Sequence, residues 1–320
     1  MRSSPLIDLK PPLSETSVEI LDGLARTPKA IAAKYLYDQR GSELFELITQ
    51  LPEYYLTRTE IQILRTYAAD IVQEVGSGRQ LIEFGSGSSA KTRLLLESLR
   101  PAVYVPVDIS RQRLAASVAS LHQQFEWLQI VPVSADYCRP LRLPAAVTAG
   151  PRTVFFPGSS IGNFEPRDAV EFLRVARGVA GADGQLLIGI DLKKDPETIE
   201  RAYDDAQGVT AAFSLNALQH MNDIVDADFD LASFRHHARY NRDFGRVEIH
   251  LVSKRDQTVH VSGQRIRVHD AEMIHIENCY KYDPQEFDVL AGQGGFTRRA
   301  EWLDPQRRFA VLLYSSSRAW

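Results

Sequence analysis

Short apolar runs alternate with helical patterns between residues 79 and 195. The helical segments repeat apolar positions every three or four residues, most clearly from Pro166 to Gly178, where the glycine is expected to end the helix. This alternation predicts a parallel sheet wrapped by helices. The runs predicted as strands are Gln80–Phe84, Val103–Val107, Trp127–Val133, Thr153–Pro157 and Gln185–Ile190.

The flanking segments have different patterns. Residues 15 to 78 are predicted to be mostly helical, with breaks at Pro28 and Pro52, and residues 1 to 12 to form an arm. Beyond the alternating region, a helical segment interrupted at Gly208 leads into runs with a period of two, which predict half-buried antiparallel strands. These runs are Phe244–Ser253, Thr258–Val268 and Ile274–Tyr282.

The C-terminal segment returns to the first pattern. Pro284–Ala291 is predicted to be helical, and Arg308–Ser316 is a strongly apolar strand. We therefore predict an α/β protein in which residues 61–195 and 283–320 form a Rossmann-like sheet. Residues 1–60 and 196–282 are predicted to form a second, α+β domain.

Composition excludes several classes of function. Among 320 residues there are 37 Lys and Arg against 41 Asp and Glu, and the formal charge of −4 argues against a nucleic-acid partner. No apolar run reaches the roughly 18 residues of a membrane span. The N-terminus lacks the apolar core of a signal peptide. A monomer without a membrane partner is expected.

Histidines and cysteines suggest neither a metal site nor a disulfide framework. The 8 histidines show no metal-ligand spacing, and the adjacent His236 and His237 are interpreted as surface imidazoles. Cys138 and Cys279 are too few for a framework, which favours a reduced, cytoplasmic setting.

The most informative segment is a glycine-rich turn between the first predicted strand and its helix. Gly85 and Gly87 allow a tight turn and close approach of a ligand, and Ser88 or Ser89 is expected to cap the helix. Asp108 lies 23 residues after Gly85, at the end of the next apolar run. A carboxylate there can accept both ribose hydroxyls of a nucleoside. The pattern therefore predicts a nucleoside-containing cofactor.

The glycine spacing also fits the dinucleotide fingerprint, so a nicotinamide cofactor is an alternative. Three details favour S-adenosylmethionine. Glu83 precedes Gly85 by two residues, as in Rossmann-like methyltransferases. Asp136 and Tyr137 follow the third run, at the position where, in that enzyme class, an acid meets the adenine amino group and an aromatic ring covers the base. No second mononucleotide-binding half follows.

Several long and unusual blocks accompany the glycine turn. They are Tyr35–Glu46, Leu51–Arg58, Phe156–Phe164, Asp191–Asp195 and Ala202–Asn216. Through them, nearly the whole chain resembles the S-adenosylmethionine-dependent L-histidine Nα-methyltransferases of ergothioneine biosynthesis, which convert histidine to hercynine. The resemblance implies a class I methyltransferase sheet, a substrate-binding second domain and L-histidine as the small-molecule substrate.

The resemblance also implies roles for individual residues. Asn163 and Tyr203 would hold the amino-acid end of the substrate, with Tyr54 nearby, and Glu277 and Cys279 would hold the imidazole. Gly158 and Phe213 would complete the substrate set, and Tyr37 or Tyr54 could relay a proton. The implied cofactor-binding residues are Glu83, Gly85, Ser86, Gly87, Lys91, Asp108, Asp136 and Tyr137.

Some alternatives to these roles stay open. Asn163 could simply end a tight turn, and Tyr203 could be a packed helix residue. The period of two predicts that His275, Glu277 and Cys279 share one face of a strand.

The chain departs from the family pattern at two positions. Cys279 stands where the family usually has serine, and Ile276 replaces a commonly polar neighbour. A thiol is a weaker hydrogen-bonding group than a hydroxyl, so another amino acid or a biogenic amine is an alternative substrate. A catalytically silent binding module is disfavoured because the implied ligand residues are retained together.

Overall fold

The computed structural model describes residues 6–8, 13–87, 90–144, 147 and 150–317. The helices in these ranges are α1 Leu13–Ala25, α2 Gln39–Ile48, α3 Tyr55–Thr66, α4 Ala68–Val75, α5 Ala90–Leu99, α6 Arg111–Gln124, α7 Pro166–Ala180, α8 Pro196–Tyr203, α9 Val209–Val225 and α10 Pro284–Gln293. Short 3-10 helices span Ala33–Leu36, Ser160–Asn163 and Leu231–Ser233.

The described residues also form strands in three sheets. The strands are β1 Ile7–Asp8, β2 Lys29–Ala30, β3 Gln80–Phe84, β4 Val103–Asp108, β5 Gln129–Ile130, β6 Val133–Ser134, β7 Arg152–Phe156, β8 Gln185–Asp191, β9 Phe234–Asn241, β10 Arg246–Ser253, β11 Gln257–Val261, β12 Gln264–Val268, β13 Met273–Tyr280, β14 Phe296–Leu303 and β15 Phe309–Ser316.

The chain divides into two compact units. Unit 1 is Met1–Lys10, Leu56–Lys193 and Lys281–Trp320, and unit 2 is Pro11–Tyr55 and Lys194–Tyr280. The predicted boundaries after residues 60, 195 and 282 lie within five residues of those of the units, whereas the prediction placed residues 1–10 in the second domain. The beginning of the chain falls in unit 1 because β1 pairs in parallel with β6. Part of the predicted arm is therefore an edge strand.

The sheet of unit 1 confirms the predicted α/β class and Rossmann-like methyltransferase architecture. Its strand order is β1-β6-β4-β3-β7-β8-β15-β14, with β5 also pairing with β4. The strands from β1 to β8 in this order pair in parallel, and β15 is antiparallel to both of its neighbours. Every residue of β3 and β8 is buried, as expected for strands covered on both faces. The C-terminal segment completes the sheet, as predicted.

Two local predictions for unit 1 need correction. The third apolar run forms two short strands, β5 and β6, with Pro132 between them. Proline lacks the N–H that a ladder requires, which accounts for the break. Helix α7 continues through Gly178 and ends before Gly181, which has a φ of 85°. The predicted caps Ser88 and Ser89 lie outside the described residues.

Unit 2 combines helices with a small mixed sheet. Its four-stranded sheet has the order β2-β13-β10-β9, and β11 and β12 form a separate hairpin. The run predicted as one strand from Thr258 to Val268 is that hairpin, which turns at Ser262 and Gly263 with φ values of 48° and 77°. Two consecutive positive φ values are typical of a tight hairpin turn. Strand β9 was missed because its alternation is weak.

Among the helices within the described ranges, none has both the length and the apolar character needed to cross a bilayer.

Candidate active site

The glycine turn and Asp108 hold each other in place in unit 1. Gly85 and Gly87 have φ values of 70° and 25°, which L-side chains rarely adopt. The Gly87 N–H donates to Asp108 Oδ2 at 3.1 Å, and the Ser110 N–H donates to Oδ1 at 2.8 Å. Asp108 ends β4, beside the end of β3. The carboxylate predicted to meet a ribose therefore lies at the turn predicted to meet the cofactor.

Ser86 and Tyr137 lie close to the same turn. Ser86 is buried, and its N–H is bonded to the Val107 carbonyl at 3.4 Å. The Tyr137 ring stacks on Phe84, with centroids 5.7 Å apart and planes within 7°. A Cβ added to Gly85 would lie 3.6 Å from the Tyr137 hydroxyl. The aromatic residue predicted at the end of the third strand is thus packed against the glycine turn.

Asp136 precedes this tyrosine and belongs to a local turn. Its Oδ1 accepts the Cys138 N–H at 3.0 Å, and its Oδ2 lies 3.8 Å from Arg139 Nε. These bonds orient the carboxylate. Its predicted contact with adenine stays a prediction.

Glu83 lies beneath the turn, with its hydrogen bonds directed into the protein. Its two oxygens accept the Thr92 hydroxyl at 2.9 and 2.8 Å, and Oε2 accepts the Tyr104 hydroxyl at 2.5 Å. Burial raises the pKa of the Glu83 carboxyl to about 8, although the bonds from Tyr104 and Thr92 oppose that rise. Glu83 therefore joins β3 to β4 and to helix α5, which follows the turn.

This raised pKa has a testable consequence for stability. The unfolded carboxyl titrates near pH 4.3, so between roughly pH 4.3 and 8 the folded state binds more protons than the unfolded state. Stability from this group is therefore highest below pH 4.3 and falls as the pH rises, by at most about 1.4 kcal/mol per pH unit. We expect Glu83→Gln to lose that slope, so that its stability relative to wild type increases from pH 5 to 8.

Denaturant unfolding at a series of pH values measures this effect. The matched control is Glu97→Gln, which replaces an exposed glutamate on α5. Parallel stability curves for wild type and Glu83→Gln would contradict a raised pKa.

Lys91 and the loop after β7 are linked by a residue that the sequence analysis missed. Lys91 Nζ lies 2.5 Å from Glu60 Oε2, and the Gly158 N–H donates to both oxygens of Glu60. Gly158 begins the loop that ends in the half-buried Asn163, which also ends a 3-10 helix. The structure thus connects a predicted cofactor residue with a predicted substrate segment. Nothing in the local pattern of α3 singles out Glu60.

In unit 2, four predicted residues belong to one aromatic group. Tyr37 lies 5.4 Å from Phe213, and Tyr54 lies 6.3 Å from Tyr203, measured between ring centroids. Phe45 joins the two pairs, with centroids 5.7 Å from Tyr37, 6.1 Å from Tyr54 and 5.9 Å from Phe213. Phe45 was not among the predicted residues, although it lies in a resemblance block.

Glu277 and Cys279 lie on the same face of β13, as predicted. They are 7% and 5% exposed and pair across the ladder with Ile249 and Val247. The register shifts after this point, so that Ile276 has no partner on β10. Such a bulge moves all further side chains to the opposite face.

His275 is therefore not on the face of Glu277, and that prediction was wrong. It pairs with His250, and its Nε2 lies 2.9 Å from Asn278 Oδ1. Burial, with the nearby His275, lowers the pKa of His250 to about 4. His250 and His275 thus lie on the face of the sheet opposite Glu277 and Cys279, the residues predicted to contact the imidazole of the substrate.

His236 shows which helices cover the face that carries Glu277. It lies on that face by register, with its Nδ1 2.9 Å from Ser214 Oγ and its Nε2 2.9 Å from the Tyr203 carbonyl oxygen. Because a carbonyl only accepts, Nε2 carries the proton and the Ser214 hydroxyl donates to Nδ1. Helix α8, which ends at Tyr203, and helix α9, which includes Phe213, thus pack on the face of the sheet that carries Glu277 and Cys279.

The interpretation of His236 as a surface imidazole was therefore wrong. Burial lowers its pKa, and its ring joins α8, α9 and β9. Cys138 and Cys279 are both free, the former exposed and the latter buried.

The family was identified by comparison with known proteins. A family model described as "Histidine-specific methyltransferase, SAM-dependent" matches residues 16–316. The chain belongs to this methyltransferase family. S-adenosylmethionine is accordingly the cofactor of this N-methyltransferase, and the nicotinamide and binding-module alternatives are excluded.

Two curated relatives and one solved structure illustrate the range of similarity. The histidine N-alpha-methyltransferase of Mycolicibacterium smegmatis is 38% identical over 303 residues, covering 92% of this chain and 93% of that protein. The 4-dimethylallyltryptophan N-methyltransferase of Aspergillus fumigatus is 26% identical and covers 94% of each chain. A crystal structure of an S-adenosylmethionine-dependent methyltransferase from Clostridium acetobutylicum matches with a TM-score of 0.48 and 9% identity, covering 86% of this chain and 98% of that one.

Proposed function

We propose that this methyltransferase transfers three methyl groups from S-adenosylmethionine to the α-amino group of L-histidine, giving hercynine in ergothioneine biosynthesis. The observation that carries the proposal is the carboxylate of Glu277, buried on the face of β13 that α8 and α9 cover. A carboxylate can accept an imidazole N–H and select one tautomer. The 38% identity to a histidine N-alpha-methyltransferase supports the same substrate.

The described side chains of unit 1 fit the cofactor. Asp108 accepts the Gly87 N–H on Oδ2 and the Ser110 N–H on Oδ1, which holds its carboxylate at the glycine turn, and we assign it to the ribose hydroxyls. Lys91, in the first turn of the helix after the glycine turn, supplies an ammonium group, and Tyr137 is packed against the glycine turn. Asp136 is assigned to the adenine amino group, and Glu83 supports the turn from beneath.

The substrate residues have complementary chemistry. The Asn163 amide and the Tyr203 phenol can orient the carboxylate and amine of an amino acid by hydrogen bonds. We assign Tyr54, Gly158 and Phe213 to the same end of the substrate, and Glu277 with Cys279 to the ring.

Catalysis then depends on alignment and on the state of the amine. The bound cofactor supplies a methyl group on a sulfonium, which is already electrophilic. The residues have to align a deprotonated amine with that methyl group and exclude water. Tyr37 or Tyr54 is proposed to relay the proton that the amine loses. Three successive rounds require that the mono- and dimethylated amines turn over without losing the anchors assigned to Glu277 and Asn163.

A methyl-transfer screen over the free amino acids, read by product mass, tests the substrate assignment. We expect histidine to be preferred and to gain three methyl groups. Preferred methylation of another amino acid or of a biogenic amine would favour the alternative substrate class. That alternative has support from Cys279, from Ile276 and from the relative named for 4-dimethylallyltryptophan.

Cys279→Ser is a direct test of ring recognition. Replacing the thiol by a hydroxyl adds a better hydrogen-bonding group, worth about 0.5–1.5 kcal/mol net. If histidine is the substrate, its KM should fall by a few-fold or stay unchanged. Steady-state kinetics with histidine for both enzymes measures this. A large loss of histidine activity would instead identify Cys279 as a packed core residue without contact to the ring.

We further propose a cytoplasmic monomer acting on this small molecule. The two free cysteines, Cys138 and Cys279, agree with that compartment. Light scattering coupled to gel filtration measures the mass, and a dimer mass would contradict the monomer.

A further inference from the structure

Glu60 is a charged residue in the interior of unit 1. Its side chain on α3 is fully buried, whereas a buried carboxylate requires both charge compensation and hydrogen bonds. Lys91 supplies the charge at 2.5 Å, and the Gly158 N–H donates to Oε1 at 3.1 Å and to Oε2 at 2.9 Å. One carboxylate therefore holds two segments that lie far apart in sequence.

Two glycines leave the space for this arrangement. A Cβ on Gly189 of β8 would lie 2.4 Å from Glu60 Oε1, which is too close for any side chain. A Cβ on Gly158 would lie 3.3 Å from Lys91 Nζ, and Gly158 has a φ of 82°. The backbone thus approaches the Glu60–Lys91 ion pair from two sides. A larger residue at Gly158 or Gly189 would displace the ion pair.

The loop after β7 is also held from its other side. Ser159 has a φ of 61°, an unusual value for a residue other than glycine, and its Oγ accepts the Asp191 N–H at 2.8 Å. A conformation of this kind persists where its surroundings impose it. Glu60 and Asp191 together define the path of the loop that leads to Asn163.

We infer that Glu60 is a positioning residue for methyl transfer, which holds Lys91 at the cofactor and sets the start of the Gly158–Asn163 loop. This inference rests on the proposed function only in assigning the loop to the substrate. Lys91 lies in the first turn of α5, the helix after the glycine turn, and the methionine part of the cofactor carries a carboxylate that an ammonium group can bind. Glu60 acts through Lys91, since its own side chain is fully buried.

A positioning role and a purely electrostatic role predict opposite results. A carboxylate beside an anion-binding lysine repels the carboxylate of the ligand, so electrostatics alone predicts tighter binding after its removal. If Glu60 positions Lys91, Glu60→Gln should instead weaken S-adenosylhomocysteine binding by about tenfold. The glutamine oxygen can still accept the Gly158 N–H, so the KM for histidine should change by less than about threefold.

A double-mutant cycle with Lys91→Met tests the coupling by titration calorimetry with S-adenosylhomocysteine. Lys91→Met alone should weaken binding by about tenfold or more, and adding Glu60→Gln should not weaken it further, since residues acting as a unit are not additive. The double variant contains no unpaired charge, whereas each single variant leaves one partner of the buried pair alone, so the unfolding midpoint of all three variants is measured beside the affinity. The inference would be overturned if the losses of affinity in Glu60→Gln and Lys91→Met multiplied in the double variant. It would also be overturned if Glu60→Gln alone bound S-adenosylhomocysteine more tightly than wild type.

The control for general loosening of unit 1 is Asp304→Asn. Asp304 is a buried carboxylate that accepts the N–H groups of Gln306, Arg308 and Phe309 in its own hairpin. It should lose stability without losing S-adenosylhomocysteine affinity. If Glu60→Gln raises the Kd for S-adenosylhomocysteine and the KM for histidine by the same factor, and also lowers the unfolding midpoint, the role of Glu60 is only structural. Ligand binding does not depend on which amine is methylated, so wild-type turnover of histidine, measured alongside, judges the proposed function separately.

Discussion

Asp108→Ala is expected to weaken S-adenosylhomocysteine binding by a few kcal/mol, or at least about 100-fold in Kd. The carboxylate is assigned to two ribose hydroxyls, and hydrogen bonds to a charged group are worth about 1.5–3 kcal/mol each. It also accepts the Gly87 and Ser110 N–H groups, so the variant loosens the glycine turn as well. Titration calorimetry with the purified variant measures the loss.

Asp304→Ala is the matched control for this experiment. It removes a carboxylate that organises a loop in the same unit through backbone N–H groups. A similar loss of stability in the two variants, with a loss of affinity confined to Asp108→Ala, isolates the contribution of the nucleoside contact. An unchanged Kd in Asp108→Ala would place the nucleoside elsewhere.

Glu277→Ala is expected to lose most activity on histidine while keeping its affinity for S-adenosylhomocysteine. The loss in kcat/KM should correspond to roughly 1.5–3 kcal/mol, since the imidazole N–H loses a charged acceptor. The cofactor affinity should be kept because Glu277 belongs to unit 2, where it is buried on the face of the sheet that α8 and α9 cover. Steady-state kinetics with histidine, together with ligand titration, separates the two effects.

Glu248→Ala is the matched control on the neighbouring strand. Glu248 pairs with Asn278 in the ladder and so lies on the face opposite Glu277, where it forms an ion pair with Arg246. This variant should keep its activity on histidine. If histidine turnover survives in Glu277→Ala, the ring is not recognised by this carboxylate, and the substrate assignment has to be revised.

Local sequence patterns determined the sheet of unit 1 and its glycine turn. The buried strands are near-continuous apolar runs, and β3 was predicted with its observed bounds. Gly85, Gly87 and Asp108 were identified because the turn needs backbone freedom and a nucleoside needs an acceptor at the next strand end. These requirements involve only neighbouring residues or neighbouring strands, so the sequence expresses them directly.

Features that depend on distant partners were decided by the tertiary structure. A period of two places His275 beside Glu277, but the bulge at Ile276 moves it to the opposite face, and only the pairing with β10 reveals that shift. His236 has no local signal for burial, because its partners come from α8 and α9. Glu60 is an ordinary helical glutamate in sequence. It becomes a buried link because Lys91, Gly158 and Gly189 converge on it, and such convergence of distant residues arises only when the sheet and its helices are assembled.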